Sequence, residues 1–258
     1  MSTPTLHVTF LGTGTSTGVP MIGCPCDVCH SPDPRDKRLR SSILIRTPRT
    51  SIVIDSTPDF RYQMLRVGLT SLNGIVFTHP HKDHIAGLDD VRAFNFFMQE
   101  PMHVYANAMT EETLKREFGY AFADKRYPGV PEIVLHTIDD KPFHVHDLEF
   151  IPIQVWHHKM PVYGYRIGDF TYITDASRID PSEKEKIRGS KVLVLNALRR
   201  ESHISHFTLD EAVALADELG AERAYFTHIS HQLGLHAEVS RELPPGKSLA
   251  YDGLEIAI

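Results

Sequence analysis

The stretch Thr78-His79-Pro80-His81-Lys82-Asp83-His84 contains three imidazoles and one carboxylate within six positions. It directly follows an apolar run, Gly-Ile-Val-Phe at 74–77, which is typical of a buried strand. Histidine and carboxylate side chains are ligands of zinc, manganese and iron rather than of calcium or magnesium. In an extended backbone the first two histidines lean to one side, and the aspartate and last histidine can reach a second point nearby. The spacing therefore predicts two metal ions side by side at the end of a strand.

The composition of the chain is that of an ordinary globular protein, with 41% hydrophobic and 23% charged residues among 258. No linker rich in Pro, Gly or Ser divides it, so we expect one domain over residues 1–258. The net charge is −6 and long basic runs are absent, which argues against nucleic acid as the main partner. Residues 1–5 lack the features of an export signal, and no apolar run approaches membrane-spanning length. We therefore expect a cytoplasmic protein with no membrane partner.

Short apolar runs alternate with helical patterns, which favours an α/β (α+β) fold of layered sheets covered by helices. Strands are predicted at 6–11, 42–45, 51–54, 74–77, 103–105, 133–135, 148–155, 164–167, 170–173, 192–195, 224–226 and 254–258. Helices are predicted at 60–67, 85–97, 111–122 and 208–219. The last has the clearest signals, because Thr208 can cap it, Glu211 completes a capping box and Gly220 ends it.

Ligand-type residues recur where later strands are predicted to end. His157 and His158 follow one strand, Asp175 a second and His228 a third. Burying these groups without partners would destabilise the fold by roughly several kcal/mol each, so a shared metal site is the simplest explanation. Asp175 can bridge two cations because a carboxylate has two oxygens.

The three cysteines, Cys24, Cys26 and Cys29, lie within six residues of one another. An odd number of cysteines in a chain without an export signal favours metal binding over disulfides. Three thiolates can hold one zinc ion in a tight loop, but a closed tetrahedral site needs a fourth ligand. Asp27 and His30 are nearby candidates for that ligand.

The H-x-H-x-D-H motif at 79–84, with Asp175 and His228 downstream, resembles the metallo-β-lactamase superfamily of hydrolases. The Cys-x-Cys-x2-Cys motif and Thr-His-Ile-Ser-His-Gln at 227–232 are narrower, and they resemble the PhnP-like phosphodiesterases, which act on phosphoribosyl 1,2-cyclic phosphate. The resemblance covers essentially the whole chain. It implies an αβ/βα four-layer sandwich with metal ions in a cleft between two sheets.

By position, the resemblance implies two catalytic divalent ions, zinc or manganese, and one structural zinc. The implied ligands of the first catalytic ion are His79, His81, His157 and Asp175, and those of the second are Asp83, His84, Asp175 and His228. The structural zinc would take Cys24, Cys26, Cys29 and His231. His158 stands where the family usually has a small residue, so the choice between His157 and His158 stays open.

The implied reaction is hydrolysis of a small phosphodiester, cyclic phosphates included, by a hydroxide that two metal ions activate. The candidate catalytic residues are His206, Asp83 and Asp175. His206 matches the family's catalytic histidine and would give a proton to the leaving oxygen. His203, Arg199 and Arg200 lie on the same loop and are candidates for binding a substrate phosphate.

Asp59 lies near the site in folds of this kind. It is expected either to orient a histidine ligand or to cap the helix that follows it.

Three other functions fit the superfamily resemblance. The tRNA-maturing endonucleases carry a long basic arm that this sequence lacks. A lactone or thioester hydrolase would use similar ligands, but the cysteine motif argues against it. A non-catalytic accessory protein like the B protein of pyrroloquinoline quinone biosynthesis also carries a cysteine-bound zinc, yet the intact H-x-H-x-D-H motif favours catalysis. The sequence leaves open a homodimer.

Overall fold

Two mixed β-sheets form the centre of the protein. The structure, a computed structural model, describes residues 5–125 and 127–258. Residues 1–4, which underlie the expected absence of an export signal, lie outside the described residues. None of the helices in the described ranges combines the length and apolar character that crossing a bilayer requires.

The first sheet has seven strands in the described part of the chain: β1 (His7–Gly12), β2 (Ser42–Arg46), β3 (Ser51–Ile54), β4 (Gly74–Val76), β5 (Met102–Asn107), β6 (Ile133–Ile138) and β15 (Glu255–Ala257). Their spatial order is β15-β1-β2-β3-β4-β5-β6. The strands from β3 to β6 run parallel, and the others pair antiparallel.

The second sheet contains β7 (Phe143–Val145), β8 (Leu148–His157), β9 (Met160–Ile167), β10 (Phe170–Tyr172), β11 (Arg178–Ile179), β12 (Val192–Asn196), β13 (Arg223–Thr227) and β14 (Lys247–Leu249). The spatial order is β11-β8-β9-β10-β12-β13-β14, and β7 pairs with β8 at one side. Strands β10, β12, β13 and β14 run parallel.

Helices cover the outer faces of both sheets. The α-helices are α1 (Asp27–His30), α2 (Phe60–Val67), α3 (Lys82–Ile85), α4 (Arg92–Met98), α5 (Ala108–Glu117), α6 (Gly119–Phe122), α7 (Pro181–Ile187), α8 (Leu209–Leu219) and α9 (His236–Glu242). Short 3-10 turns lie at Pro34–Asp36, Leu88–Val91 and His231–Leu233.

Three apolar cores separate the four layers. Between the sheets, alternate residues of β2 such as Ile43 and Ile45 pack with Tyr165 and Tyr172 of the second sheet. Leu44, on the opposite face of β2, packs under the helices of the first sheet. A third core lies between the second sheet and α7, α8 and α9. Because both faces of each sheet are covered, the central strands are apolar throughout. The predicted four-layer α/β sandwich is confirmed.

The predicted capping of α8 is confirmed, whereas two other predicted helices are wrong in extent. Thr208 and Glu211 form the reciprocal capping box of α8, and Gly220 ends the helix in a left-handed conformation. The segment 85–97 is instead divided among α3, a 3-10 turn and α4. Gly87 interrupts it because the chain passes so close to a neighbouring loop that a β-carbon would lie 2.1 Å from the carbonyl oxygen of Thr57.

The segment 111–122 is likewise divided, at Phe118, into α5 and α6. The helices α1, α7 and α9 and the strands β7, β11 and β14 were not predicted. Each is seven residues long or shorter, which is too short for an apolar period to be recognised.

Tyr165 in β9 joins the two sheets beside the histidine-rich stretch. Its hydroxyl donates a hydrogen bond to the carbonyl oxygen of Phe77 at 2.6 Å, and the backbone N–H of Tyr163 donates to the carbonyl oxygen of Thr78 at 3.1 Å. The Tyr165 side chain is fully buried, so these bonds form away from water. They fix the strand end from which His79 emerges.

We expect Tyr165→Phe to lower the free energy of unfolding by about 1–3 kcal/mol, because it leaves the carbonyl oxygen of Phe77 buried without this partner. Tyr172→Phe is the matched control. That residue is equally buried, but its hydroxyl has no hydrogen-bond partner among the described residues, so stability should stay equal or rise. Urea unfolding of the two variants measures the difference, and equal losses would contradict the proposed role of the bond.

Candidate metal centre

Ligand-type residues collect at one edge of the two sheets, where parallel strands end. His79 follows β4, Asp175 follows β10, and His228 follows β13 directly. His157 is the last residue of β8, which runs in the same direction as β10 because both are antiparallel to β9. The C-terminal ends of parallel strands lie at the same edge of a sheet, so residues far apart in sequence become neighbours.

Three buried residues at this edge have backbone angles that non-glycine residues rarely adopt. The φ angle is 67° at Asp55, 55° at Asp175 and 57° at His228. Such left-handed conformations raise the energy of the folded state by about 1–3 kcal/mol each and are concentrated at functional sites. All three side chains are almost fully buried. The fold therefore accepts local strain to bring these groups into the cluster.

The carboxylate of Asp175 contacts imidazoles from three separate segments. Its Oδ2 lies 3.3 Å from Nε2 of His84 and 3.2 Å from Nδ1 of His228, and its Oδ1 lies 3.9 Å from Nδ1 of His206. The hydroxyl of Thr174 donates to Oδ2 at 2.7 Å. Burial by itself would raise the pKa of Asp175, but the neighbouring His228 and His84 outweigh it and hold the pKa well below its usual range.

The buried carboxylate of Asp55 orients two of the histidines. Its Oδ2 lies 2.7 Å from Nδ1 of His84 and accepts the hydroxyl proton of Thr78 at 2.8 Å. Because that hydroxyl already donates to Asp55, it accepts from Nδ1–H of His79, which lies 2.9 Å away. Nε2 of each histidine is then free to face the cluster. Hydrogen bonds of this kind fix the tautomer of metal-binding histidines.

Asp55 was not predicted as a site residue, although its place in the sequence carries a signal. Asp55 follows the apolar strand β3 directly, as His228 follows β13. The same argument from strand ends that selected Asp175 would have selected it.

His157 faces the cluster, whereas His158 does not contact it. Nδ1 of His157 donates to the carbonyl oxygen of Ser205 at 2.9 Å, which leaves Nε2 free. His158 is exposed, and its backbone N–H donates to the hydroxyl of Ser177 at 3.2 Å. Geometry therefore favours His157 as a ligand.

The donor atoms of these residues approach one another in overlapping groups. Atoms within 4.8 Å of one another form three overlapping groups: His79, His84 and Asp175; Asp83, His84 and His228; and His157, Asp175 and His206. His206 thus joins a group, while His81 remains exposed at the rim, with its ring 4.6 Å from that of His79 and 5.1 Å from that of His157.

The cluster has the chemistry of a cation site. Nε2 of His79, Nε2 of His84 and Nδ1 of His206 are buried without a hydrogen-bond partner among the described residues. Burial by itself would lower the pKa of His84, but the carboxylates of Asp83, Asp175 and Asp55 outweigh it and raise the pKa well above its usual range. Unpartnered nitrogen donors beside three carboxylates are the environment that a divalent ion of the zinc or manganese type would satisfy.

His206 lies inside the cluster rather than beside it. The centre of its ring is 4.7 Å from that of His157 and 4.8 Å from that of His228, and the residue is only 8% exposed. Burial, together with His228, lowers the pKa of His206 to about 3. The imidazole is therefore uncharged at neutral pH.

A second cluster brings together Cys24, Cys26, Cys29 and His231, whose donor atoms lie within 4.8 Å of one another. Nδ1 of His231 is 3.5 Å from the sulfur of Cys24 and 3.3 Å from that of Cys26. The backbone N–H of Cys29 is the main cause that lowers the pKa of Cys26 to about 6, and burial raises the pKa of Cys29 to about 11.

Neither nearby alternative completes this cysteine cluster. His30 instead contacts the carbonyl oxygen of Cys26 through Nδ1 at 3.1 Å, and both His30 and Asp27 are exposed. Three sulfurs and one nitrogen suit a closed tetrahedral zinc site.

Both predicted roles of Asp59 are wrong. It occupies the position before α2, but its side chain makes no capping hydrogen bond. Its carboxylate instead accepts from the backbone N–H of Arg40 at 2.9 Å and from the Arg40 guanidinium at 3.0 Å. The carboxylate that orients His84 is that of Asp55 instead.

Comparison with known proteins identifies relatives of this fold. The sequence model of a Beta-lactamase superfamily domain matches residues 50–229. A solved structure of a diphosphatase from the PhnP family is 43% identical, covers 98% of this chain and 97% of its own, and superposes with a TM-score of 0.93.

Two curated relatives carry different names. An octanoyltransferase of Porphyromonas gingivalis (strain ATCC BAA-308 / W83) is 40% identical over 251 residues, which are 96% of this chain. This chain spans only 51% of the length of that protein. A ribonuclease Z of Mycobacterium sp. (strain KMS) is 23% identical over 256 residues, with 86% of this chain and 84% of the relative covered.

We expect Asp55→Asn to weaken binding of divalent ions by the histidine cluster about 10- to 100-fold, because His84 and His79 lose the partner that orients them. Asp59→Asn is the matched control, since that aspartate contacts Arg40 instead, and it should keep full affinity. Calorimetric titration of the metal-free variants with zinc measures the affinity of each variant. The interpretation fails if the two variants bind zinc equally.

We expect Cys26→Ser to reduce the zinc content by one ion per chain. It should also lower the melting temperature, because a closed sulfur site contributes to folding. His30→Ala, which removes an exposed neighbour of that cysteine, should change neither. Elemental analysis and thermal unfolding on the same preparations provide the measurement. Full zinc content in the Cys26→Ser variant would exclude a structural zinc at this position.

Proposed function

The chain belongs to the β-lactamase superfamily and has the fold of its metal-dependent hydrolases, and we propose that it hydrolyses small phosphodiesters. Cyclic phosphates and diphosphate esters are the candidate substrates. The observation that carries the proposal is the contact of one buried carboxylate, Asp175, with His84, His228 and His206, which come from different segments. Such a convergence of donors supports a metal-assisted reaction, and the likeness to a PhnP-family diphosphatase supports phosphate esters as its substrates.

We assign two catalytic divalent ions, zinc or manganese, to the histidine cluster and one structural zinc to the cysteine cluster. Six of the proposed catalytic ligands belong to the donor groups of the cluster: His79, Asp83, His84, His157, Asp175 and His228. His81, at the rim beside His79 and His157, is proposed as the seventh on the resemblance of the H-x-H-x-D-H motif. The proposed structural ligands are Cys24, Cys26, Cys29 and His231. When bound, the catalytic pair lowers the pKa of water and offsets charge on phosphoryl oxygens.

His206 is the proposed proton carrier. Because it is uncharged and the Nδ1 atom has no partner among the described residues, it can accept a proton from the attacking water. It can then return that proton to the leaving oxygen as the bond from phosphorus to that oxygen breaks. Asp175, whose Oδ1 lies 3.9 Å from Nδ1 of His206, favours the protonated state between these steps.

Small substrates are favoured over RNA. The net charge of −6 gives little attraction to a phosphate backbone. Two arginines near the site are also engaged within the protein: Arg200 pairs with Glu242 at 2.6 Å, and Arg199 donates to Gln232 at 3.0 Å. Octanoyl transfer is not proposed, since about half of that relative lies outside the match. A cytoplasmic location and a homodimer stay predictions.

We expect the purified protein, loaded with zinc or manganese, to hydrolyse bis(p-nitrophenyl) phosphate much faster than a p-nitrophenyl thioester, a lactone or a precursor tRNA. Asp175→Ala should reduce the phosphodiester rate by at least about 10²-fold, because both proposed ions and His206 lose a shared partner. Initial rates with the four substrates provide the test. Faster turnover of the lactone or the thioester would overturn the proposal, and cleavage of the tRNA alone would replace it with RNA processing.

A further inference from the structure

Four imidazoles form a row from the buried cluster to the surface. The ring centres of His84 and His228 are 5.9 Å apart, those of His228 and His206 are 4.8 Å apart, and those of His206 and His203 are 5.2 Å apart. The first three residues are buried, and His203 at the outer end is half-buried. The row therefore runs from the metal cluster toward solvent, and His203 is its outermost member.

The hydrogen bonds of His203 engage only one of its two ring nitrogens among the described residues. The backbone N–H of Ser205 donates to Nδ1 of His203 at 3.3 Å, and the hydroxyl of Ser205 lies 3.2 Å from the same atom. Because Nδ1 accepts a backbone proton, the uncharged ring carries its own proton on Nε2. No hydrogen bond to that Nε2 is made by any residue in the ranges 5–125 and 127–258.

The other cationic side chains of the same loop are engaged elsewhere. Arg199 donates to the carbonyl oxygens of Glu201 and Ser202 as well as to Gln232, and so braces the loop. Arg200 pairs with Glu242. The sequence suggested Arg199, Arg200 and His203 for substrate binding. Of these, only His203 packs its ring beside that of His206 and has a ring nitrogen without a partner among the described residues.

We propose that His203 binds the leaving group of the substrate by donating a hydrogen bond from Nε2 to an oxygen of that group. This inference rests on the proposed function, in which His206 faces the leaving oxygen. The His203 ring lies 5.2 Å from that of His206 and is the more exposed of the two, so it can reach atoms that continue outward from that oxygen. The preferred leaving groups are then those with a hydroxyl or phosphate oxygen, such as a sugar or a nucleotide, rather than apolar alcohols.

Kinetics with two substrates test the role of His203. The metal-loaded protein is assayed with 2′,3′-cyclic AMP, whose leaving group is a ribose hydroxyl, and with bis(p-nitrophenyl) phosphate. We expect His203→Ala to raise KM for the cyclic nucleotide about tenfold, because one hydrogen bond to the substrate is lost. The value of kcat should stay within about twofold of that of the unaltered protein. KM for bis(p-nitrophenyl) phosphate should not change. If the cyclic nucleotide is not turned over, its inhibition constant against bis(p-nitrophenyl) phosphate replaces KM.

Three comparisons separate substrate binding from a structural effect. His203→Gln keeps an N–H donor at similar reach and should restore much of the affinity. Arg200→Ala alters the same loop and should leave both KM values unchanged, whereas His206→Ala should lower kcat instead of raising KM. The inference is overturned if His203→Ala raises both KM values equally, lowers kcat as His206→Ala does, or is not rescued by glutamine. Failure of the unaltered protein to hydrolyse bis(p-nitrophenyl) phosphate would refute the proposed function instead.

Discussion

The negative charge around His84 is the constraint on which the rest of this structure depends. The carboxylates of Asp55, Asp83 and Asp175 all lie within 3.3 Å of that one buried ring, where water cannot screen their mutual repulsion. A protonated imidazole offsets part of this charge, and divalent ions would offset it fully. Several features of the fold hold these carboxylates together. They are the hydrogen bonds from the hydroxyls of Thr78 and Thr174, the strained turns after the strands and the layers of helices.

Much of this site could be predicted from the sequence, because its donors occur at a regular place in the chain. The H-x-H-x-D-H motif, Asp175 and His228 each follow an apolar strand, and parallel strands end at one edge. The ends of α8 could be predicted because their signals are local. Thr208, Glu211 and Gly220 each act on backbone within one or two turns of the helix.

What the sequence could not predict depends on contacts between distant segments. No sequence pattern around Asp59 predicts its contact with Arg40, which lies 19 residues earlier. Only the folded chain brings the two residues together. The break at Gly87 depends on a loop more than twenty residues earlier passing within van der Waals contact. The lowered pKa of His206 likewise follows from burial and from His228, which a distant segment contributes, so it could not be deduced from the residue type alone.

The histidine and cysteine clusters share one short piece of chain. His228 and His231 lie three residues apart after β13, and the intervening Ile229 forms backbone hydrogen bonds with Thr13 and Thr15. The hydroxyl of Thr15 also lies 3.2 Å from Nε2 of His228. The N-terminal loop and the segment after β13 are therefore one structural part built from two ends of the sequence. A chimera that exchanges either segment with a homologue must exchange the other as well, because each supplies hydrogen-bond partners to the other.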